Sequence, residues 1–392
     1  MTVQRLGLVA VALAVLTACS TPEESTPTAA PTLSASAADA SGARSWPAVP
    51  ASQLPDDRAS ALQGEIARWV DKALIPGVTA AVVTPEGMWT GAAGVDGRGT
   101  PLVPESGMAV ASITKTFTAA ELMLLSERGE VDLDAPASTY IDIPQVANGA
   151  TVRQLLAHRG GVAEGLPSTL GDRDAPWSTA KYLSFMPAAT AKPGGEFVYD
   201  NANYILLGLL IEKVGGRSVA EALKSDLWDP AGLRRLAYQD AQRLPPPLAR
   251  PPAQVTAEPE LDRCVGDGPY LPCRALASAF GPAGGVAGDA QSVARWGYEL
   301  YGSRVLRPES VAQMTDFQDG DGYGLGTVDF RAVENGRWDV DVVGHTGETI
   351  GYRSVLVVIP GTKVSVALLT PSTVDVVPFV RKLVTAGSLL EE

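Results

Sequence analysis

Apolar residues recur along the chain with two different periods. In "LPDDRASALQGEIARWVDKALIPG" Leu62, Ile66, Trp69 and Ala73 fall on one face of a helix, and Pro76-Gly77 supplies its stop. Two strand-like runs follow, "VTAAVVT" and "MWTGAAGV", and Pro85-Glu86-Gly87 between them predicts a hairpin. From Ser112 to about Leu300 the period turns helical: Ile113, Phe117, Ala120 and Leu124 share a face, and Gly129 marks a C-terminal stop. Strands return at the end as "YGLGTVDF" and "RWDVDVV" around an Asn335-Gly336 turn, then "YRSVLVVI" and "KVSVALLT" around Pro360-Gly361. Strands at both ends with helices between them predict one antiparallel sheet assembled from the two ends of the chain, with an inserted helical lobe.

The extremes of the pattern depart from this. "MTVQRLGLVAVALAVLTACS" starts with Arg5 and an apolar run from Leu6 to Val15 too short to span a bilayer, which reads as an export signal. Its end, Leu16-Thr17-Ala18-Cys19, resembles the lipobox of bacterial lipoproteins, with Cys19 as the lipid-modified first residue. Residues 20 to 50 are almost all Ser, Thr, Pro and Ala, a composition that does not order itself. The expected division is a signal over 1–18, a disordered tether over 19–50 and a folded domain over 51–392, placed on the extracytoplasmic face of the cell membrane. Export leaves Cys264 and Cys273 in an oxidising compartment, where a pair closing a short loop predicts a disulfide. The Pro-rich stretch from Leu244 to Cys273 reads as an irregular surface segment, because "PPPLARPP" cannot be helix interior.

With 392 residues, 45% of them hydrophobic, the chain can bury one large core or two modest ones. A formal charge of -13 and the lack of a basic cluster argue against a nucleic-acid partner. No G-x-S-x-G offers a nucleophile elbow, and the two histidines, His158 and His345, form no H-E-x-x-H zinc helix. The glycines of "GPAGGVAG" lack phosphate-loop spacing and read as turns or close approaches, with Asp289 capping the next helix.

What remains is a serine with a base beside it. Ser112 and Lys115 form S-x-x-K at the mouth of an apolar helix, and a lysine one turn after a serine is among the few groups able to activate it. Ser178 and Lys181 also fit S-x-x-K, but they sit beside Pro176 and lead into a segment broken at Pro187. In "GGEFVYDNANY", Tyr199 could shuttle a proton to a leaving group, and Asn201 could hold a substrate carbonyl or orient the lysine. In "GHTGETIGY", His345, Thr346 and Gly347 stand at a strand end that could lie along a bound substrate.

The order S-x-x-K, Y-x-N, H-T-G resembles the serine β-lactamase and penicillin-binding family, nearest its class C β-lactamase, D-alanyl-D-alanine carboxypeptidase, D-aminopeptidase and esterase branch. The resemblance runs from about Leu62 to Val384. It implies an α/β (α+β) β-lactamase-like fold, an antiparallel sheet flanked by N- and C-terminal helices with an inserted all-helical lobe. It makes Ser112 the acylated nucleophile, Lys115 its base and Tyr199 the proton shuttle, with Asn201, His345, Thr346 and Gly347 binding substrate. The backbone N–H groups of Ser112 and Glu348 would form the oxyanion hole. The implied protein is a serine hydrolase of peptides, amides or esters, lipid-anchored through Cys19 and using neither metal nor organic cofactor. The alternative is a penicillin-binding or catalytically weak binding protein on the same fold.

Several positions depart from the family pattern. His345 replaces a lysine, which predicts a charge on the substrate side that titrates near neutrality and favours acidic substrates as pH falls. Asp200, between Tyr199 and Asn201, is expected to face away from the tyrosine. Arg159 and Gly160 replace the usual Thr-Ser after His158, which reads as structural.

Overall fold

The computed structural model describes residues 45–165, 171–240, 242–256, 262–317 and 320–390. The export signal, Cys19 and most of the expected tether lie outside them. The first strands, β1 (Gly77–Val83) and β2 (Met88–Gly94), form the expected hairpin, with Gly77 opposite Gly94. Thr84 Oγ1 closes the turn by accepting from the N–H groups of Glu86 and Gly87 at 3.1 and 3.2 Å. The last strands, β8 (Tyr352–Ile359) and β9 (Val364–Thr370), return to it, and β9 pairs with β1 with Val82 opposite Val366. With β6 (Val328–Asp329) and β7 (Val343–Thr349), the order is β2-β1-β9-β8-β7-β6, every pairing antiparallel.

The central strands are apolar at successive positions because both faces are covered. Val78, Ala80 and Val82 point to one core with Val355, Val357, Val366 and Leu368. Ala81 and Val83 point to the other with Leu356, Val358, Ala367 and Leu369. The first core is closed by α1 (Asp56–Asp71) and the helix Val377–Ala386. The second holds the helical lobe, entered by α2 (Thr114–Glu127), which ends at Gly129 with φ 75°. A three-stranded sheet, β3 (Met108–Ala109), β5 (Val286–Gly288) and β4 (Leu236–Tyr238), lies beneath the start of α2.

Some boundaries move from expectation. α1 stops at Asp71, and Ala73 is exposed with φ 52°, so the left-handed residue ends the helix before Pro76-Gly77. The expected strand 323–330 shrinks to two residues, because Gly322 and Gly326 both take φ 69° and Asp329 caps a new turn, Phe330–Val333. Asn335 and Gly336, at φ 54° and 70°, end that turn and do not join two strands. The last residues of the expected tether lie on the body: Trp46 stacks edge-on against Tyr298 at 5.0 Å, and its N–H donates to Gly302 O at 2.8 Å. Cys264 and Cys273 are joined. The Pro-rich segment from Leu244 to Cys273 is more than surface, since Leu244, Ala249 and Leu271 are buried.

Candidate active site

Backbone pairing sets the turn that carries Ser112. β3 pairs with β5, Met108 opposite Gly288, and Val110 N–H extends the contact to Val286 O at 3.0 Å. The chain then bends at Ala111, whose φ of 47° is left-handed, a strain that clusters at functional sites. In the short turn Ala111–Ile113 that follows, Ala111 and Ile113 are buried while Ser112 remains partly exposed.

Lys115 lies one helical turn on and is fully buried. Its Nζ is 3.0 Å from Ser112 Oγ, 2.8 Å from Asn201 Oδ1 and 2.9 Å from Ala283 O. Burial lowers its pKa from 10.5 to about 7, with the Glu164 and Asp200 carboxylates pulling the other way. A neutral amine has two N–H groups and one lone pair. The Asn201 and Ala283 oxygens can only accept, so they take both N–H groups and leave the lone pair facing the Ser112 hydroxyl. Sequence reasoning missed Ala283, because its contribution is a backbone carbonyl. The Gly-rich stretch delivers it through close packing: a Cβ on Gly208 would meet Pro282 Cγ at 2.0 Å.

Tyr199 and Asn201 arrive from the start of the helix Asn201–Gly215. Asp200 caps this helix by accepting from Ala202 N–H at 2.7 Å, and its other oxygen accepts from Glu164 N–H at 2.9 Å. The Tyr199 residue is 42% exposed, yet desolvation of its hydroxyl raises its pKa and keeps it protonated. Its ring packs on His158 at 4.3 Å and covers Lys115 Nζ at 4.9 Å from the centroid. His158 is structural in this arrangement: its Nδ1 accepts from Asp200 N–H at 3.2 Å, and burial drives its pKa well down. Asn201 serves the lysine rather than presenting a free amide. Its Oδ1 accepts from Lys115 Nζ at 2.8 Å.

β7 carries the third motif alongside the turn of Ser112. Gly347 is required there, since a Cβ would lie 2.2 Å from Val110 O and 2.1 Å from Ser354 Oγ. That closeness sets the backbone next to Glu348 beside the turn of Ser112. The Glu348 side chain is tied to Arg353.

His345 departs from expectation. It is buried and does not offer a titrating charge to substrate. Its Nδ1 is 2.6 Å from Thr346 O and its Nε2 is 3.0 Å from the Tyr323 hydroxyl. The carbonyl requires Nδ1–H, so Nε2 accepts from Tyr323. Burial first, then the Lys115 charge, lowers its pKa to about 3. The second S-x-x-K match is also resolved, since Ser178 caps a short helix by accepting from Lys181 N–H at 3.1 Å and Lys181 lies over the Trp177 ring.

A family model described as Beta-lactamase matches residues 62–385. Penicillin-binding protein 4 of Amycolatopsis lactamdurans is 29% identical over 320 residues, 76% of this chain and 81% of that protein. The unguisins hydrolase of Aspergillus violaceofuscus is 29% identical over 231 residues, 52% of this chain, and the match spans only 40% of that relative. Among solved structures, D-amino acid amidase from Ochrobactrum anthropi SV3 has a TM-score of 0.71 at 23% identity, covering 86% of this chain and all of that one. A D-stereospecific amidohydrolase from Streptomyces sp. has a TM-score of 0.67 at 26% identity, covering 85% and 98%.

Proposed function

The chain belongs to the beta-lactamase family, and from that premise we propose that it is a serine hydrolase working through an acyl-enzyme at Ser112. The observation that carries this reading is the set of partners around Lys115, which leaves a neutral amine only the Ser112 hydroxyl as a proton source. Lys115 takes the Oγ proton as Oγ bonds to the substrate carbonyl carbon. The backbone N–H groups of Ser112 and Glu348 receive the oxyanion. Tyr199, held protonated, donates to the leaving group and recovers a proton from Lys115. Water then enters by the reverse sequence, freeing the acid and Ser112.

The substrates we propose are amides or esters that carry no carboxylate beside the scissile bond. Where the family's general pattern has a lysine, His345 is neutral and occupied inside the protein. The likeness to a D-stereospecific amidohydrolase supports amides within that class. The likeness to a penicillin-binding protein supports a second reading, a site that acylates and turns over slowly. Fluorophosphonate labelling decides between them. Rapid, stoichiometric labelling of Ser112 together with turnover of a neutral amide or ester supports the hydrolase, whereas a stable penicillin adduct without turnover supports the second reading.

We also propose export and lipid anchoring through Cys19, on the strength of Leu16-Thr17-Ala18-Cys19. Processing should be sensitive to globomycin, and Cys19→Ala should release the protein from the detergent phase. A wild-type protein already soluble after export would remove the idea.

A further inference from the structure

The fold gathers a basic groove that the sequence does not display. Four cations line it from three chain segments: Arg68 in α1, Arg337 after the turn Phe330–Val333, and Arg381 with Lys382 in the helix Val377–Ala386. The groove holds about 690 Å³ and lies over the first core, across the sheet from the helical lobe. Two carboxylates share its lining, and both are engaged. Glu65 Oε1 accepts from Trp69 Nε1 at 2.6 Å, and its other oxygen pairs with Arg68. Glu334 Oε2 accepts from Trp338 Nε1 at 2.8 Å. Among the described residues, no carboxylate pairs with Arg337, Arg381 or Lys382. Lys382 Nζ rests 5.0 Å from the centroid of the Phe379 ring, and that ring packs on Trp69 at 4.8 Å, which fixes one wall of the groove.

Four cations against two carboxylates leave a local positive surplus in a chain whose formal charge is -13. Like charges that converge on one groove repel one another, a cost that a bound anion removes. The donors decide which anion. A carboxylate presents two oxygens in one plane, and a single guanidinium fork fills them. A phosphate presents oxygens around a tetrahedron and carries up to about two charges, so donors from separate chain segments can reach it at once. We propose that this groove binds a phosphate group, carried by a small soluble anion or by an anionic lipid headgroup, with Arg337, Arg381 and Lys382 as its ligands and Arg68 held at its edge by Glu65. The site is separate from the acyl-transfer chemistry and does not rest on it.

The test titrates the full chain with inorganic phosphate by calorimetry at pH 8 and low salt, and in parallel sediments it with phosphatidylcholine vesicles made with and without phosphatidylglycerol. All proteins carry Cys19→Ala, so that no lipid anchor contributes. Saturable binding of one probe is expected, weakened about tenfold or more in Arg337→Gln/Arg381→Gln, because charge-assisted hydrogen bonds are lost. Lys192→Gln/Lys213→Gln lowers the net charge equally at exposed positions of the helical lobe and should bind as the parent does. An acidic chain should avoid anionic vesicles, so sedimentation that needs phosphatidylglycerol and disappears in the arginine variant assigns the phosphate to a lipid headgroup. Saturable binding of inorganic phosphate without it assigns a soluble anion. Binding of neither probe overturns the proposal, as does an arginine variant that binds like the parent or a lysine control that loses as much. Lys382→Gln alone should show a smaller loss of the same sign, and no loss there decides against the groove where the arginine variant does not fold.

Discussion

Lys115 and Glu121 stand on the same helix, both fully buried, and burial drives both toward the same value, about 7, one from above and one from below. Their surroundings differ. Lys115 has three hydrogen-bond partners, one of them the partly exposed Ser112. Neither Glu121 oxygen has a hydrogen-bond partner, and its nearest counter-charge is Arg217 at 3.6 Å. Asp226, itself bound by Arg217 and Arg128, adds a like charge. A displaced pKa thus reports burial at both places, and chemistry is available only where the displaced group faces a reachable nucleophile.

The largest expected effect sharpens that contrast directly. Ser112→Ala and Lys115→Met should each cost about a thousandfold or more in kcat/KM and abolish fluorophosphonate labelling, because the proposed nucleophile and its proposed base would act as a unit. Glu121→Gln and Ser178→Ala should stay within about twofold of wild type. Substantial turnover in Ser112→Ala would break the comparison at its active end, and a large loss in Glu121→Gln would break it at the other.

The pH profile follows. In the proposed mechanism Lys115 works only as the neutral amine, so kcat/KM should rise about tenfold per unit below its pKa and level off above it, with a midpoint near 7. Tyr199 is raised and stays protonated, which predicts no alkaline fall up to pH 9. Glu121→Gln should leave the midpoint in place, although Glu121 titrates in the same range. A midpoint that moved with Glu121 would transfer the limb to the wrong residue.

How much of this was legible depends on what each part is made of. The hairpin and the last two strands were readable because unbroken apolar runs between turn residues leave few alternatives to a sheet covered on both faces. The segment 323–343 misled, because Gly322, Gly326 and the Asn335-Gly336 pair adopt left-handed backbone that local pattern reads equally well as hairpin chemistry. Ser112 and Lys115 were legible because one helical turn is a sequence distance. The Ala283 carbonyl has no side-chain signature, and the neutrality of His345 is a consequence of burial, which no local window reveals.

A smaller effect is expected in stability, where the two buried groups have opposite signs. Glu121 is raised from 4.5 to about 7, so between those values the folded state holds a proton the unfolded state has lost, and stability falls as pH rises through that window. The shift corresponds to about 3 kcal/mol. Lys115 is lowered from 10.5 to about 7, so above 7 the unfolded state holds the extra proton and stability rises toward 10.5, by about 5 kcal/mol. Together they place a minimum near neutrality. Urea unfolding at pH 5, 7 and 9 should show Glu121→Gln flattening the acid side and Lys115→Met flattening the alkaline side. Both slopes surviving in both variants would mean that other groups set them.

The smallest expected effect is a near absence of change, and it tests a neighbour of Lys115 that sequence alone made the reader of substrate charge. If His345 titrated near its ordinary value, acidic substrates would gain over neutral analogues as pH fell toward 5, and the shared chemistry of Ser112, Lys115 and Tyr199 would cancel from the ratio. The fold removes that behaviour. Tyr323 donates to Nε2 at 3.0 Å, so the lone pair that would take a proton is already engaged. Desolvation and the Lys115 charge hold the pKa at about 3, below the range in which the base works. The ratio of kcat/KM for an acidic substrate and its neutral analogue should therefore vary by less than about twofold between pH 5 and 9. A clear rise of the acidic substrate centred near 6.5 would show that the ring reaches water in the working enzyme, and would return to His345 the charge its burial removes.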